Sequence, residues 1–257
     1  RAAWRRVRRN QGAAGGDGVA LAAFERDLDR QLDGLRAAVL DGTYRPGPLR
    51  RVAIAKPDGG ARVLAIPCVG DRVLQTAMAA ALEKRLEPRF HDASFGYRPG
   101  RSVAAAVACV RRHIRAGRHW AVDADIRSFF DSIDHRLLRG DLRQAAGDPS
   151  VERLAAAWLA GFSPQRRGIA QGSPLSPLLA NLFLDPVDRE LDAEGVAFVR
   201  YADDLVLLSP NRRAAEAALR RFARALGRRR LTLNQDKTSL AAPGNFLHFL
   251  GERIHLK

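Results

Sequence analysis

The sequence predicts an α+β fold in which an antiparallel sheet with split βαβ (ferredoxin-like) connectivity packs on helices. Residues 120–126 are predicted to form a strand. Ser176-Pro177 is predicted to begin a helix, because serine caps helices and proline suits the first helical position. Two apolar runs over residues 199–208 flank the adjacent acids Asp203 and Asp204, the pattern of a strand, a tight turn and a second strand. The order continues with an amphipathic helix over residues 212–226 and a short strand over residues 231–233.

The N-terminal part is predicted to contain helices and a β-hairpin. Leu28, Leu32 and Leu35 recur at helical spacing and predict a helix over residues 21–40, which Gly42 would end. An Asp-Gly pair between two apolar runs is typical of a hairpin turn. The elements predicted by these signals are strands over residues 49–54 and 62–66, joined by a turn over residues 56–60, and helices over residues 71–86 and 102–114.

Composition indicates a folded and strongly basic protein. The 257 residues are 46% hydrophobic, enough for one large domain or two small ones, and 43 Lys and Arg oppose 28 Asp and Glu for a net charge of +15. Such an excess favours nucleic acid as the partner, although an arginine-rich composition also follows from genomic base content. The basic residues 1–9, with Trp4 among them, are expected to hold nucleic acid through charge and base stacking.

The two cysteines and the hydropathy pattern exclude several classes of protein. Cys68 and Cys109 lie in apolar surroundings and are expected to be small buried hydrophobes, not a disulfide. The Cys and His residues lack the spacing of a zinc site. Apolar runs stay well below the length of a membrane span, and the basic N-terminus is not followed by the apolar stretch of a secretory signal. We therefore expect an intracellular protein without a membrane partner.

Three acids are predicted to converge at one end of the sheet. A right-handed crossover would bring Asp125, at the end of the first strand, beside Asp203 and Asp204. Carboxylates at a turn suit a hard cation such as Mg²⁺, although acids are also common in turns because they bond their own backbone. Converging carboxylates in a basic protein predict two divalent ions that activate an attacking hydroxyl and stabilise a leaving oxygen. The predicted reaction class is nucleotidyl transfer.

Seven stretches of the chain, taken in order, resemble the motifs of bacterial reverse transcriptases of the group II intron lineage. The stretch Tyr201-Ala202-Asp203-Asp204 resembles motif C. A lone tetrad of this kind is a weak signal, but the whole set in this order is specific and covers nearly the whole chain. The resemblance implies a right-hand polymerase core of fingers and palm, acting as an RNA-directed DNA polymerase in the bacterial cytoplasm. The other stretches resemble finger motifs at residues 53–64 and 94–102, motif A at 121–135, motif B at 168–181, motif D at 233–238 and motif E at 249–251.

The resemblance implies a two-metal site for Mg²⁺, with Mn²⁺ as a substitute. Asp125, Asp203 and the backbone carbonyl of Ile126 are the implied metal ligands, and Asp204 supports the site or binds the metal on the primer side. Lys237 is implied as a general acid that protonates the pyrophosphate leaving group, although an ordinary surface lysine would look the same in sequence.

A second implied set binds the incoming deoxynucleotide. Lys56 and Arg62 flank the finger turn and would grip its triphosphate, with arginine as a fork and lysine as a point charge. Gln171 and Gly172 would let the backbone and an amide approach the nucleotide and template. Phe130 is implied as a ring under the sugar that leaves no room for a ribose 2′-hydroxyl, so deoxynucleotides are expected to be favoured.

A third implied set contacts the RNA template and a DNA or RNA primer. Arg98 and Arg101 would contact the template backbone, although a basic loop without that role fits the sequence equally well. The motif E residues would contact the primer; they are Phe249, Leu250 and Gly251.

The resemblance also implies a domain layout. Fingers are expected over residues 1–100 and 133–175, and palm over residues 101–132 and 176–257. The chain stops soon after motif E, so we expect the helical thumb to be absent from these residues and polymerisation to be weakened. Splicing, endonuclease, integrase and RNase H sequences are likewise not found. Intron-maturase or CRISPR integrase domains are the expected fused or associated partners.

Two other functions remain as alternatives. An RNA-dependent RNA polymerase shares the palm, but its motif C usually contains Gly-Asp-Asp, and both Tyr201-Ala202 and Phe130 argue against it. A catalytically inactive nucleic-acid scaffold would show degenerate acids, whereas all three are present here. Within the family, group II intron, CRISPR-associated and antiphage-defence enzymes share these motifs. The form of residues 171–174 and the short path to Tyr201 favour the CRISPR-associated branch.

Overall fold

A computed structural model describes residues 1–55, 61–163 and 165–257. Within them the chain forms two compact units, each assembled from two separate stretches. The first unit comprises Arg1–Leu86 and His135–Leu179, and the second comprises Glu87–Asp134 and Ala180–Lys257. Because the chain leaves and re-enters each unit, residues far apart in sequence are brought together within both.

Both helices and strands occur along the described chain. The helices are α1 (Ala2–Arg9), α2 (Leu21–Arg26), α3 (Leu28–Leu40), α4 (Val69–Leu86), α5 (Val103–Arg115), α6 (Phe129–Ser132), α7 (His135–Ala146), α8 (Pro149–Phe162), α9 (Ser176–Ala193) and α10 (Arg212–Arg228). The strands are β1 (Arg50–Ala55), β2 (Ala61–Ile66), β3 (Trp120–Ala124), β4 (Ala197–Tyr201), β5 (Asp204–Ser209), β6 (Ser239–Ala241), β7 (Phe246–Phe249) and β8 (Glu252–His255).

The first unit is mostly helical and carries the hairpin of β1 and β2. These strands pair antiparallel, with Arg50 opposite Ile66 and Ala55 opposite Ala61. The predicted helix over residues 21–40 is interrupted, because Asp27 leaves helical geometry with φ −118° and ψ 38° and separates α2 from α3. The predicted turn over residues 56–60 lies outside the described residues.

The N-terminal helix packs into the first unit through its apolar side. Trp4 is 3% exposed and stacks on Phe24 with ring centroids 5.3 Å apart. The expectation that Trp4 stacks on a base is therefore wrong for this structure, because its ring is already covered by protein. Two arginines of this segment form ion pairs, Arg1 with Asp29 at 2.6 Å and Arg8 with Glu25 at 3.1 Å.

The second unit is built on a four-stranded antiparallel sheet with the order β4-β5-β3-β6. The predicted placement of the first strand beside the hairpin is confirmed, since β3 pairs with β5. Helix α5 and the β7–β8 hairpin contribute to one buried apolar cluster with these strands, and α10 also packs against β3 and β5. This is the predicted α+β arrangement of an antiparallel sheet on helices.

Residues 231–233 do not form the expected strand. Leu233 makes only an isolated bridge to Ile126, and the strand that pairs with the other edge of β3 is β6, with Asp123 opposite Ser239. A short 3₁₀ turn over Gln235–Lys237 separates the two pairings. The segment after α10 therefore pairs with this part of the chain twice, first through Leu233 beyond the end of β3 and then through β6 along β3 itself.

Residues 87–100 fall in the second unit, whereas the sequence assigned them to the fingers. The physical reason is their pairing with β4: the Phe95 amide donates to the Arg200 carbonyl at 2.8 Å, and the Arg200 amide donates to the Ala93 carbonyl at 2.8 Å. The Phe95 ring lies in the apolar cluster with α5.

Both cysteines are buried and free, as the sequence predicts for Cys68 and Cys109. Within the described ranges, the helices are all too short or too polar to cross a lipid bilayer.

Candidate active site

Two acids stand at the tight turn between β4 and β5. Tyr201 is paired with Asp204, so the loop contains only Ala202 and Asp203. Ala202 adopts a positive φ of 58°, the left-handed conformation that two-residue hairpins favour. The turn holds Asp203 half-buried at its tip and Asp204 at the start of β5.

The third acid lies immediately after β3. Ala124 is opposite Leu205, so the next cross-strand position brings Asp125 toward Asp204. Asn234 holds Asp125 from the other side: its side-chain amide donates to Asp125 Oδ2 at 2.7 Å, and its backbone N–H donates to the Asp125 carbonyl at 2.8 Å. Asn234 was not among the residues predicted for the site, and its only signal in the sequence was its place in motif D.

The acids share one electrostatic environment. The pKa of Asp204 is raised to about 6, chiefly because its carboxyl group is removed from water and secondarily because of the negative charges of Asp203, Asp125 and Asp123. The charge of Lys237 opposes this rise. Part of the Asp204 side chain is nevertheless exposed. The carboxylates therefore lie close enough to repel one another at an accessible end of the sheet.

A fourth acid, Asp123, was missed by the sequence analysis. Burial, and then the charge of Asp125, raise the pKa of Asp123, while the charge of His248 on β7 lowers it. The sequence held a signal for Asp123: it stands two residues before Asp125, and residues two apart on a strand share a face. Asp123, in β3, and Asp125, immediately after it, therefore carry negative charge on the same side of the sheet.

The chemistry of this group of side chains suits a hard divalent cation. In the described part of the chain, three or more Asp, Glu, His or Cys side chains do not converge tightly enough to form a preassembled metal cage. Burial and then the repulsion among the carboxylates raise the pKa of Asp204, and a bound cation would relieve that repulsion. Carboxylate oxygens are also ligands of choice for Mg²⁺. Magnesium commonly takes a few carboxylates and completes its shell with water and substrate phosphates, so the residues present fit the ion.

Two further predicted residues flank the acids. Lys237 ends the 3₁₀ turn after Asn234 and is exposed, and its charge acts on Asp204. Ile126 forms an isolated β-bridge with Leu233. The hydrogen bond of this bridge is made by the neighbouring residues, since the Arg127 amide donates to the Thr232 carbonyl at 2.9 Å. The carbonyl of Ile126 is thus not used by that pairing.

The two adjacent phenylalanines of motif A have different surroundings. Phe129 is 2% exposed, whereas Phe130 is only half-buried, and their rings meet edge to face with centroids 5.4 Å apart. Phe129 is therefore a core residue. Phe130 is left with the accessible ring that a sugar contact needs.

Of the residues predicted to bind the nucleotide, Arg62, Gln171 and Gly172 belong to the first unit. The Gln171 carbonyl accepts a hydrogen bond from the Ala65 amide at 2.8 Å. Gly172 has φ +120°, and a Cβ there would lie 2.9 Å from the Ala65 carbonyl oxygen, so only glycine fits without strain. Arg62 stands in β2 opposite Ile54, and Lys56 lies outside the described residues.

Arg98 is placed differently from its predicted role. Its side chain is 3% exposed and pairs with Glu87 at 2.8 Å, and it donates to the carbonyls of His91 and Ser94 at 2.7 Å. A guanidinium that is buried and engaged in this way cannot also reach a template phosphate. The geometry therefore argues against a direct template contact and indicates a structural role.

Arg101 is more accessible than Arg98. It donates to Asp92 Oδ1 and to the Asp92 carbonyl, both at 2.7 Å, and its guanidinium lies over the Phe95 ring. Its side chain retains 25% exposure, and its partner carboxylate is 94% exposed. An ion pair this accessible exchanges readily with another anion.

Motif E forms the turn of the β7–β8 hairpin. Phe249 pairs with Glu252, so Leu250 and Gly251 are the two loop residues, and both have positive φ, as a type I′ turn requires. The Phe249 ring is 3% exposed within the apolar cluster. Gly251 is exposed and Leu250 half-buried, so the turn is accessible and the Phe249 ring is not.

Comparison with known proteins identifies the family. The reverse transcriptase (RNA-dependent DNA polymerase) family matches residues 54–254. Protein YkfC of Escherichia coli is 33% identical over 287 residues, covering 93% of this chain and 75% of that protein. Group II intron-encoded protein LtrA of Lactococcus lactis is 39% identical over 157 residues, covering 58% of this chain and 26% of LtrA.

Solved structures give the same fold. Telomerase from Candida albicans, in complex with a fragment of telomeric RNA, superposes with a TM-score of 0.66 at 10% identity, covering 92% of this chain and 49% of that chain. The chain thus spans about half of this structural relative and a quarter of LtrA. The right-hand fingers-and-palm fold is confirmed, and reverse transcriptases as a family copy RNA templates and generally use divalent metal ions. The chain belongs to the reverse transcriptase family of RNA-directed DNA polymerases, and its similarity to LtrA confirms the predicted group II intron lineage.

Proposed function

We propose that this chain extends a primer 3′-hydroxyl with deoxynucleotides on an RNA template, using two Mg²⁺ ions held by Asp125, Asp203 and Asp204. The observation that carries the proposal is the placement of these acids: Asp203 and Asp204 stand at the β4–β5 turn, and the pairing of β3 with β5 brings Asp125 toward Asp204. When bound, two divalent ions would activate the attacking hydroxyl and stabilise the leaving pyrophosphate; Mn²⁺ would substitute.

The remaining residues of the second unit supply orientation and proton transfer. Asn234 fixes Asp125 through both its amide groups, so that carboxylate is oriented before any cation binds. Lys237, exposed beside the acids, donates a proton to the leaving pyrophosphate. The half-buried ring of Phe130 excludes a ribose 2′-hydroxyl by occupying the space it would need.

Nucleotide binding by Lys56, Arg62, Gln171 and Gly172 is proposed from their motif positions. Gly172 supports the proposal most directly, since it is exposed and has no side chain to keep a nucleotide from its backbone. For the template and primer we propose Arg101 and the exposed Gly251 turn, and omit Arg98 because its donors are engaged internally.

The biological setting is proposed as a group II intron or a CRISPR-associated system. LtrA is a group II intron-encoded protein, and the retron Mx65 reverse transcriptase of Myxococcus xanthus is 28% identical over 79% of this chain. These relatives support the bacterial lineage, and the preference for the CRISPR-associated branch stays a prediction from the form of residues 171–174.

The test is primer extension on a defined RNA template with Mg²⁺, comparing deoxynucleotides with ribonucleotides. Asp203→Asn should abolish extension while primer–template binding is retained, because it removes a charge from the acid cluster. Asp192→Asn is the matched control, since Asp192 is an exposed acid of the same unit with 67% side-chain exposure. Ribonucleotide preference would instead support an RNA polymerase, and RNA binding without extension by the wild-type chain would support an inactive scaffold.

A further inference from the structure

Arg200, the residue immediately before the catalytic tetrad, is almost completely enclosed. It is 1% exposed and ranks among the largest fully buried side chains of the described residues. Its backbone is also held, because its amide donates to the Ala93 carbonyl and its carbonyl accepts from the Phe95 amide, both at 2.8 Å. A long charged side chain is rarely buried in this way without a specific partner.

The guanidinium of Arg200 is neutralised by Asp188 of α9. Nε donates to Asp188 Oδ1 at 2.8 Å and Nη2 donates to Asp188 Oδ2 at 2.5 Å, a two-pronged pair in which Asp188 is also 1% exposed. Nη2 donates in addition to Ser94 Oγ at 2.8 Å. This geometry uses the flat fork of arginine, which lysine does not possess.

The remaining terminal nitrogen points at the catalytic turn. Nη1 donates to the Ala202 carbonyl at 2.9 Å and to Asn181 Oδ1 at 3.0 Å. Ala202 is the residue with φ 58°, and its carbonyl belongs to the peptide bond that leads into Asp203. The hydrogen bond therefore fixes the orientation of the peptide that carries the first of the two acids.

The same turn is confined by the backbone of Gly96. A Cβ at Gly96 would clash with the Ala202 nitrogen and would lie 2.9 Å from the Tyr201 carbonyl carbon. The Gly96 carbonyl accepts a hydrogen bond from Asn181 Nδ2 at 2.8 Å. Asn181 thus joins both constraints, because its oxygen holds Arg200 and its nitrogen holds the glycine that packs against the turn.

We propose that Arg200 is a positioning residue for the catalytic acids, held by Asp188 and Asn181 and acting through the Ala202 carbonyl. The inference rests on the proposed function, since it assigns Arg200 to the placement of the turn that carries Asp203 and Asp204. Arg200 itself touches no reacting atom. Its effect is to keep a left-handed turn in one orientation, so that the two carboxylates are placed before cations and nucleotide arrive.

The test is single-turnover nucleotide addition, normalised to the concentration of active sites, for three variants. Arg200→Lys keeps the positive charge but loses the fork, and should lower the maximal rate by about 10- to 100-fold while the nucleotide dissociation constant stays unchanged. Gly96→Ala perturbs the turn without altering the guanidinium, and should give the same pattern. Ser94→Ala removes one acceptor from Arg200 but leaves the bond to Ala202, and should retain close to the wild-type rate.

Amide hydrogen exchange of peptides spanning residues 198–208, measured without metal or nucleotide, provides a readout independent of activity. Exchange in the turn should accelerate in Arg200→Lys and Gly96→Ala and not in Ser94→Ala. A normal rate per active site with a reduced active fraction in both turn variants would overturn the proposal and leave Arg200 a purely stabilising residue.

Failure of the two proposals can be told apart. If the wild-type chain adds no deoxynucleotide, the proposed function fails, and exchange in the turn still decides whether Arg200 holds it. If Arg200→Lys does not fold, Asn181→Ala leaves the pair of Arg200 and Asp188 in place and tests the same turn. Wild-type exchange and rate in Asn181→Ala and Gly96→Ala would then refute the inference.

Discussion

Asn234 donates two hydrogen bonds to Asp125: its side-chain amide to the carboxylate oxygen Oδ2 at 2.7 Å, and its backbone amide to the backbone carbonyl at 2.8 Å. The two residues are joined across the end of β3, where Leu233 bridges Ile126. A carboxylate fixed in this way loses rotational freedom before substrate arrives, which is the condition for a preorganised site.

Asn234→Ala should therefore slow deoxynucleotide addition by about 10- to 100-fold, since loss of an orienting partner has effects of this size. The measurement is the rate of primer extension alongside the thermal unfolding midpoint. Asn245→Ala, an exposed asparagine of the same unit, is the control and should leave both unchanged. A wild-type rate in Asn234→Ala would show that Asp125 needs no such support.

Phe130→Ala should raise ribonucleotide incorporation relative to deoxynucleotide incorporation, because the half-buried ring no longer fills the space of a 2′-hydroxyl. Competition between the two nucleotide types in primer extension measures this ratio. The adjacent Phe129→Ala should behave differently, since that ring is 2% exposed and its removal should destabilise the fold by about 3–5 kcal/mol. Unchanged sugar selection in Phe130→Ala would show that the assignment of the sugar contact is wrong.

Arg98→Ala should lower the free energy of unfolding by about 3 kcal/mol, because the partly buried Glu87 and two carbonyl groups lose the donor that Arg98 provides. Arg101→Ala should cost about 1 kcal/mol or less, since its partner Asp92 is 94% exposed. Urea denaturation of both variants measures the difference. Equal losses would mean that burial does not separate the two arginines.

The salt dependence of RNA binding distinguishes the same two residues by function. Arg101→Ala should reduce the slope of affinity against salt concentration, whereas a folded Arg98 variant should keep the wild-type slope. A reduced slope for Arg98 alone would restore it as the template contact.

Gly172→Ala should destabilise the chain by about 1–3 kcal/mol, because its φ of +120° is strained for any residue with a Cβ and the Ala65 carbonyl lies in the way. It should also raise the Michaelis constant for the deoxynucleotide. Gly140→Ala in α7 is the matched control: with open space around it, alanine there should stabilise by up to about 1 kcal/mol. Thermal unfolding and nucleotide titration measure both effects. An unchanged unfolding midpoint in Gly172→Ala would contradict the close contact between Gly172 and the Ala65 carbonyl.

Much of the fold was predictable because its signals are local. Alternating apolar residues and a tight turn place Asp203 and Asp204 between two strands, and the pairing of β3 with β5 followed from the order of the elements. The family resemblance likewise depended on short runs of residues in a fixed order, which the match over residues 54–254 confirms.

Other features were decided only by contacts between distant residues. The pairing of Asn234 with Asp125, the choice of residues 239–241 over 231–233 as the outer strand, and the burial of Trp4 all depend on which surfaces meet. Arginine is usually exposed, so the sequence allowed a nucleic-acid contact for Arg98 as readily as a plain basic loop, and it has no signal for Arg200 as a buried anchor.

The chemical groups of the site and their order along the chain thus follow from local signals, because apolar periodicity and turn chemistry act over a few residues. Tertiary structure alone decided which charges are enclosed and which remain available to a ligand. Burying a guanidinium is favourable only when a carboxylate and several carbonyl groups surround it, as Asp188, Asn181 and Ala202 surround Arg200. Such an environment exists only once strands and helices from separate parts of the chain have packed together.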